Sequence, residues 1–82
     1  GIRYLNKELE EIHHEVGATE NISPGGARVY VRSPPPDFEF VRITNLPRTF
    51  ESLARVCNRY VGGDSFEHLC LQFLDKQWTT VP

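Results

Sequence analysis

Apolar residues in the first part of the chain recur at Ile2, Leu5, Leu9, Ile12 and Val16, at intervals of three and four. This is the rhythm of a narrow helical seam. With Gly17 as a stop and Glu8, Glu10, Glu11 and Glu15 on the solvent side, it predicts an amphipathic helix from about Ile2 to Val16. So narrow a seam suits burial against one partner helix or one sheet face, and it raises oligomerisation before chemistry.

The pattern then changes. Asn21, Ser23, Pro24, Gly25 and Gly26 are turn formers without periodicity, so residues 18–26 read as a connector. Alternation over Ala27 to Arg32 and over Phe38 to Thr44 predicts two strands, separated by the stiff Ser33-Pro34-Pro35-Pro36-Asp37 loop. Paired as a hairpin with Val29 opposite Val41, they would carry Val29, Val31, Val41 and Ile43 on one side. Arg28, Tyr30, Arg32, Phe38, Phe40 and Arg42 would lie on the other. Pro47 and Thr49 announce a second helix with the apolar face Phe50, Leu53, Ala54, Cys57, Tyr60 and Val61, stopped at Gly62-Gly63. Phe66, Leu69, Cys70, Phe73, Leu74 and Trp78 fit a third, started by Asp64 and Glu67. The same region also alternates, with Leu69, Leu71 and Phe73 on one side.

The expected fold class is therefore α+β, in the order α-β-β-α-α, with helices covering a small antiparallel hairpin. Taking residues 68–74 as a strand gives a ubiquitin-like β-grasp instead, loosely similar to PB1-type interaction domains but without their acidic cluster. A heptad-bearing helix leading into a small head also resembles the RWD-type heads that cap kinetochore coiled coils. Both resemblances imply protein binding without catalysis.

Length bounds the picture: 82 residues allow one domain, read as a helical segment 1–17 and a body 27–82, with a modest core. Hydrophobic content of 39% is enough to fold it. A net charge of -2 supplies no overall attraction to nucleic acid or an anionic membrane. No apolar run is long enough to span a bilayer as a helix, and the polar start lacks a signal-peptide core. An intracellular protein, cytoplasmic or nuclear, is expected. A chain beginning at Gly1 reads as a piece of a longer one.

Cys57 and Cys70 are too few for a disulfide framework, have no C-x-x-C spacing, and are expected to be buried thiols. His13, His14 and His68 with these cysteines show no zinc spacing, the glycine doublets lack the lysine of a phosphate loop, and no carboxylates are paired for acid–base work. No metal, cofactor or enzymatic activity is expected. The Arg28, Tyr30, Arg32, Phe38, Phe40, Arg42 face has the composition on which RNA-binding modules stack bases. Val41-Arg42-Ile43-Thr44-Asn45-Leu46 also resembles the first short signature of the RNA recognition motif, although the second is absent. The leading expectation is a non-enzymatic interaction module whose partner is protein, a second copy in a homodimer, met through Ile2, Leu5, Leu9, Ile12 and Val16. Single-stranded RNA binding is the alternative.

Overall fold

Alternation with a period of two marks the inner strands. Ile2 and Tyr4 are buried around exposed Arg3, Val29 and Val31 around half-buried Tyr30, and Ser52 and Ala54 around half-buried Leu53. The computed structural model describes residues 1–45 and 50–76, and among them there is no helix. Seven strands follow in chain order: β1 (Ile2–Leu5), β2 (Glu11–Glu15), β3 (Ala18–Ser23), β4 (Gly26–Val31), β5 (Phe40–Thr44), β6 (Glu51–Val61) and β7 (Glu67–Phe73).

They form one antiparallel sheet of order β2-β1-β5-β6-β7-β4-β3, curled into a half-barrel. Its two edges, β2 and β3, are consecutive in the chain and separated only by Val16 and Gly17. Because every neighbouring pair is antiparallel, both edges run in the same direction. One segment, residues 11–23, therefore leaves one edge of the sheet and takes up the other. Gly17 sits at the crossing: a Cβ there would lie 2.6 Å from both Ile2 Cδ1 and the Tyr30 carbonyl oxygen. Backbone cannot yield as a side chain can, so the crossing requires glycine. Just before it, the Glu15 carboxylate accepts from Tyr4 Oη (2.6 Å), Arg32 N (2.8 Å) and Ser33 N (3.2 Å), tying β1, β2 and the exit of β4 together.

The core lies on the concave face. Ile2, Tyr4, Val29, Val31, Val41, Ala54, Leu69, Leu71 and Phe73 form its buried cluster, with Ile22, Ala27, Phe38, Ile43, Phe50 and Val56 packed against it. At one end Arg59 pairs with Glu67, and its guanidinium lies 4.6 Å over the Phe38 ring.

The α+β expectation is overturned, because all three expected helices are strands. In two of the three the physical reason is a β-bulge, on β2 and on β6, that inserts one residue and shifts the side-chain phase. β7 carries no inserted residue and follows the alternation of Leu69, Leu71 and Phe73; β3, in the expected connector, is bulged as well. On β2 the register steps from Tyr4↔His13 to Leu5↔Glu11, so Ile12 is the extra residue; on β3 it is Glu20 and on β6 Cys57. A strand interrupted this way displays intervals of three and four that mimic a helix. In the first segment, Asn6 also breaks the chain into a hairpin. Its Oδ1 accepts from Glu8 N and Glu10 N, both at 2.9 Å. The coiled-coil-like seam therefore does not exist: Ile2 and Leu5 are buried on β1, whereas Leu9, Ile12 and Val16 are exposed on and beside β2.

In β6, the face expected to be helical is divided: Ala54 points into the core, Leu53 and Tyr60 point away, and Cys57 is the bulge. In the last segment, Leu69 and Phe73 are concave and Cys70 convex. Asp64 still binds a backbone amide, Phe66 N at 3.0 Å, but in a β-turn rather than at a helix start. The strand alternative for residues 68–74 matches β7, yet with no described helix there is no β-grasp. Residues 18–26, expected as a connector, include β3. Strands occupy the two segments expected to be extended, but they are not partners, since β6 and β7 lie between β5 and β4. Val29, Val31, Val41 and Ile43 nonetheless share the concave face. Thr49 and Trp78 lie outside the described residues.

Candidate functional site

The two edge strands, β2 and β3, are the least covered parts of the sheet. Glu11, Ile12, His13 and His14 are all exposed, and β2 adds nothing to the buried core. Around this edge, three apolar side chains face solvent: Leu9 at 47% exposure, Ile12 at 46% and Val16 at 78%. His13 stacks on the Tyr4 ring at 5.8 Å, and His14 Nδ1 lies 3.1 Å from Glu11 Oε2. Beside Val16 a cleft of about 600 Å³ is lined by Arg3, Glu11, His14, Thr44 and Glu51, with Arg3 within 4.0 Å of both carboxylates (3.7 and 3.9 Å). A smaller hollow of about 290 Å³ beneath the crossing is lined mainly by Ile2, Ile22, Val29, Ile43 and Phe50.

Leu9 is unusual in its backbone as well. Its φ of 63° is left-handed, a conformation that favours glycine and costs a leucine roughly 1–2 kcal/mol. The turn after β6 has the same construction: Gly62 N donates to Phe66 O and Ser65 N to Gly62 O, as Asn6 N does to Glu10 O and Leu9 N to Asn6 O. In that turn the left-handed residue is Ser65 (φ 68°), small and polar. The β1–β2 turn instead presents a large apolar side chain to solvent at the equivalent place.

Burial, followed by the Glu15 carboxylate at its hydroxyl, pushes the Tyr4 phenol well above the usual tyrosine range. Tyr4 is thus held neutral as a donor beneath β2.

The β3 edge is organised differently. Glu20, the bulge residue, reaches His68 on β7, with Oε2 3.3 Å from Nδ1, while Asp64 Oδ1 lies 3.3 Å from Nε2 on the other side of the ring. His68 is only 6% exposed, stacked against Tyr60 (4.9 Å, 5°) and met edge-on by Tyr30 (4.9 Å, 90°). Arg28 Nε stands 4.0 Å from Glu20 Oε2. The Phe66 backbone N–H, foremost, and then His68 hold the Asp64 carboxyl below its ordinary range. A Cβ on Gly62 would fall 2.5 Å from His68 Nε2, so the ring also fills the space glycine leaves. With both nitrogens already opposed by carboxylates and the ring covered by tyrosines, His68 fastens the edge rather than opening onto a substrate.

The six residues expected as a ligand or RNA face are not assembled on one surface. Arg28, Tyr30 and Arg32 lie together at the β4 end of the convex face, where the Arg32 guanidinium is 5.6 Å over Phe66. Phe40 and Arg42 also face outward, but on β5, three strand spacings or about 14 Å away. Phe38 packs inward, edge-on to Tyr4 at 4.7 Å. Arg42 is 3.8 Å from Asp75. Although burial works to raise the Asp75 carboxyl, Ser52 Oγ, Leu53 N and Arg42 together lower it. The sequence pattern reads Gly17 as a helix stop and Glu15 as solvent-facing and does not single out Glu20 or Asp75, because the partners that give all four their roles are distant in the chain.

Among the described residues, no group of three or more His, Cys, Asp or Glu side chains is placed to hold a metal ion, and no helix is long and apolar enough to cross a membrane. Comparison with protein families, curated proteins and solved structures gives no match.

Proposed function

We propose that this chain is a non-enzymatic protein-interaction module that self-associates through its β2 edge, two copies pairing β2 against β2 about a two-fold axis. The observation that carries this reading is Leu9, a solvent-facing leucine in a left-handed turn conformation at the head of an uncovered edge strand. Strain of this kind persists where function requires it, and glycine would relieve it. Ile12 and Val16 continue the apolar strip, and the backbone groups of an open edge strand are ready to extend the sheet. Full burial of an aliphatic side chain contributes on the order of 1.5–3 kcal/mol, which three residues must set against the entropy of association. Pairing of one short strand is well below a standard interface in area, so the complex is weak and concentration-dependent. The arginines Arg3, Arg28 and Arg42 already face carboxylates within 4.0 Å, which favours a protein partner over nucleic-acid phosphate.

Sedimentation equilibrium over a wide concentration range tests the proposal. The wild type should show a reversible monomer–dimer equilibrium. Ile12→Lys should remain monomeric with stability unchanged within about 0.5 kcal/mol, as expected for an exposed position. Leu9→Gly should weaken association while raising the monomer's stability by about 1 kcal/mol. A wild type that stays monomeric at every concentration, or a dimer indifferent to both substitutions, overturns this reading.

A further inference from the structure

The bulge in β6 places two thiols side by side on the convex face. Val56 pairs with Leu71 and Asn58 with Cys70, leaving Cys57 as the inserted residue beside Cys70. In a bulge the inserted residue has no ladder partner of its own, so Cys57 stands outside the ladder beside Asn58, whose opposite is Cys70. Cys57 Sγ lies 3.9 Å from Gln72 Oε1, and Gln72 and Cys70 are alternate residues of β7, facing the same way. Both thiols line one hollow of about 330 Å³ with Arg28, Gln72, Asn21 and Ser23. Cys57 is exposed and Cys70 half-buried, contrary to the expectation of two core cysteines. Arg28 is the register partner of Cys70 on the neighbouring strand β4 and lines the same hollow.

We infer that Cys57 and Cys70 are a modification site: a dithiol that closes to a reversible cross-strand disulfide by exchange with a small-molecule disulfide. Asn58 and Cys70 are the opposed pair, with Cα atoms of such pairs about 4.5–5.5 Å apart. Cys57 is the next residue along, and a disulfide, which spans roughly 4.4–6.8 Å between Cα atoms, asks it to turn within the bulge toward the hollow it shares with Cys70. Accessibility sets the order of steps. Cys57 loses its proton to solvent and its sulfur attacks the reagent disulfide, expelling one reagent thiolate and forming a mixed disulfide. Cys70, likewise deprotonated, then attacks the Cys57 sulfur and expels the second thiolate. Two electrons pass from the protein thiols to the reagent, which leaves as two thiols. The closed bond would pin β6 to β7 at the position where the phase of β6 changes.

Intact-mass spectrometry of the folded chain incubated with oxidised glutathione decides the matter. The expected product is a monomer lighter by two hydrogens, retaining no glutathione, with Cys57 and Cys70 linked in the digest. Cys70→Ser should stop at the intermediate, with one glutathione on Cys57. Wild-type protein that keeps glutathione on either cysteine, forms a linked dimer, or remains unmodified overturns the inference. So does a bridge that forms only in denaturant.

Discussion

The two edges of this sheet belong to one stretch of chain, and each contains a bulge, yet they end in opposite states. On β3 the inserted residue is Glu20, which turns back to His68 and Arg28 and fastens the edge over the convex face. On β2 it is Ile12, an apolar side chain left in solvent. Bulges and charges are general means of guarding an edge against unwanted pairing. If the proposed β2 pairing holds, a bulge alone does not guard an edge: the inserted side chain must find a partner on the neighbouring strands. The proposed interface is the edge where it does not.

The largest expected effect comes from breaking the crossing that makes the two edges one segment. Gly17→Val pushes side-chain atoms into the Tyr30 carbonyl oxygen, and urea unfolding should show a loss of about 3 kcal/mol or more. Next is Glu15→Ala, which leaves the Tyr4 hydroxyl buried without its acceptor and should cost about 1–3 kcal/mol. The same contact has an alkaline signature. The folded phenol titrates above its unfolded value, so its stabilisation is complete below about pH 10 and declines as pH rises beyond it. In the phenolate absorbance titration, one of the three tyrosines should ionise only with unfolding, and Glu15→Ala should bring that step to lower pH.

A smaller change tests the fastening of β3. His68→Leu keeps the ring's place filled but frees Glu20 and Asp64, and should cost about 1–2 kcal/mol. Hydrogen exchange should quicken at the β3 amides and leave those of β2 as they were; equal acceleration at both edges would contradict the contrast. The smallest effect concerns the paired turns. Asp64 is held below its ordinary value, so its contribution is present above about pH 4 and is lost as pH falls through the lower folded value. Asn6, which receives the amides of the matching turn, carries no charge. Mild acid should therefore loosen amides in the β6–β7 turn before those in the β1–β2 turn.

Much of the concave face was legible in the sequence. Val29, Val31, Val41 and Ile43 stand out by alternation alone, and they do share one face. On β2 and β6 a single inserted residue hides the alternation, whereas β7 fits both periods and only its pairing on both sides settles it as a strand. Ile2 and Tyr4 alternate as a strand should, but Leu5, Leu9, Ile12 and Val16 have helical spacing because Leu9 lies in the turn between two strands and Ile12 is the inserted residue of the second. The glutamates between them favour helix by intrinsic propensity, which tertiary pairing outweighs. The RNA-like face dissolved for a different reason. Adjacency in the chain across the proline loop suggests hairpin partners, whereas β6 and β7 insert between its two halves.

By itself, the sequence determined the turns at Pro24-Gly25, at the proline loop and after Gly62, though not the one at Asn6, together with which residues of β4 and β5 are apolar on one side and that no strong field or metal-ligand spacing is present. Those properties are local, set by side-chain chemistry and by neighbours a few residues away. Only the tertiary structure decided which strands pair, and with that the role of each bulge, the glycine at the crossing, the anchor at Glu15 and the adjacency of Cys57 and Cys70. These depend on contacts between residues as far apart as Glu20 and His68. Such contacts form when the sheet curls and buries its concave face, and no short window of sequence contains both partners.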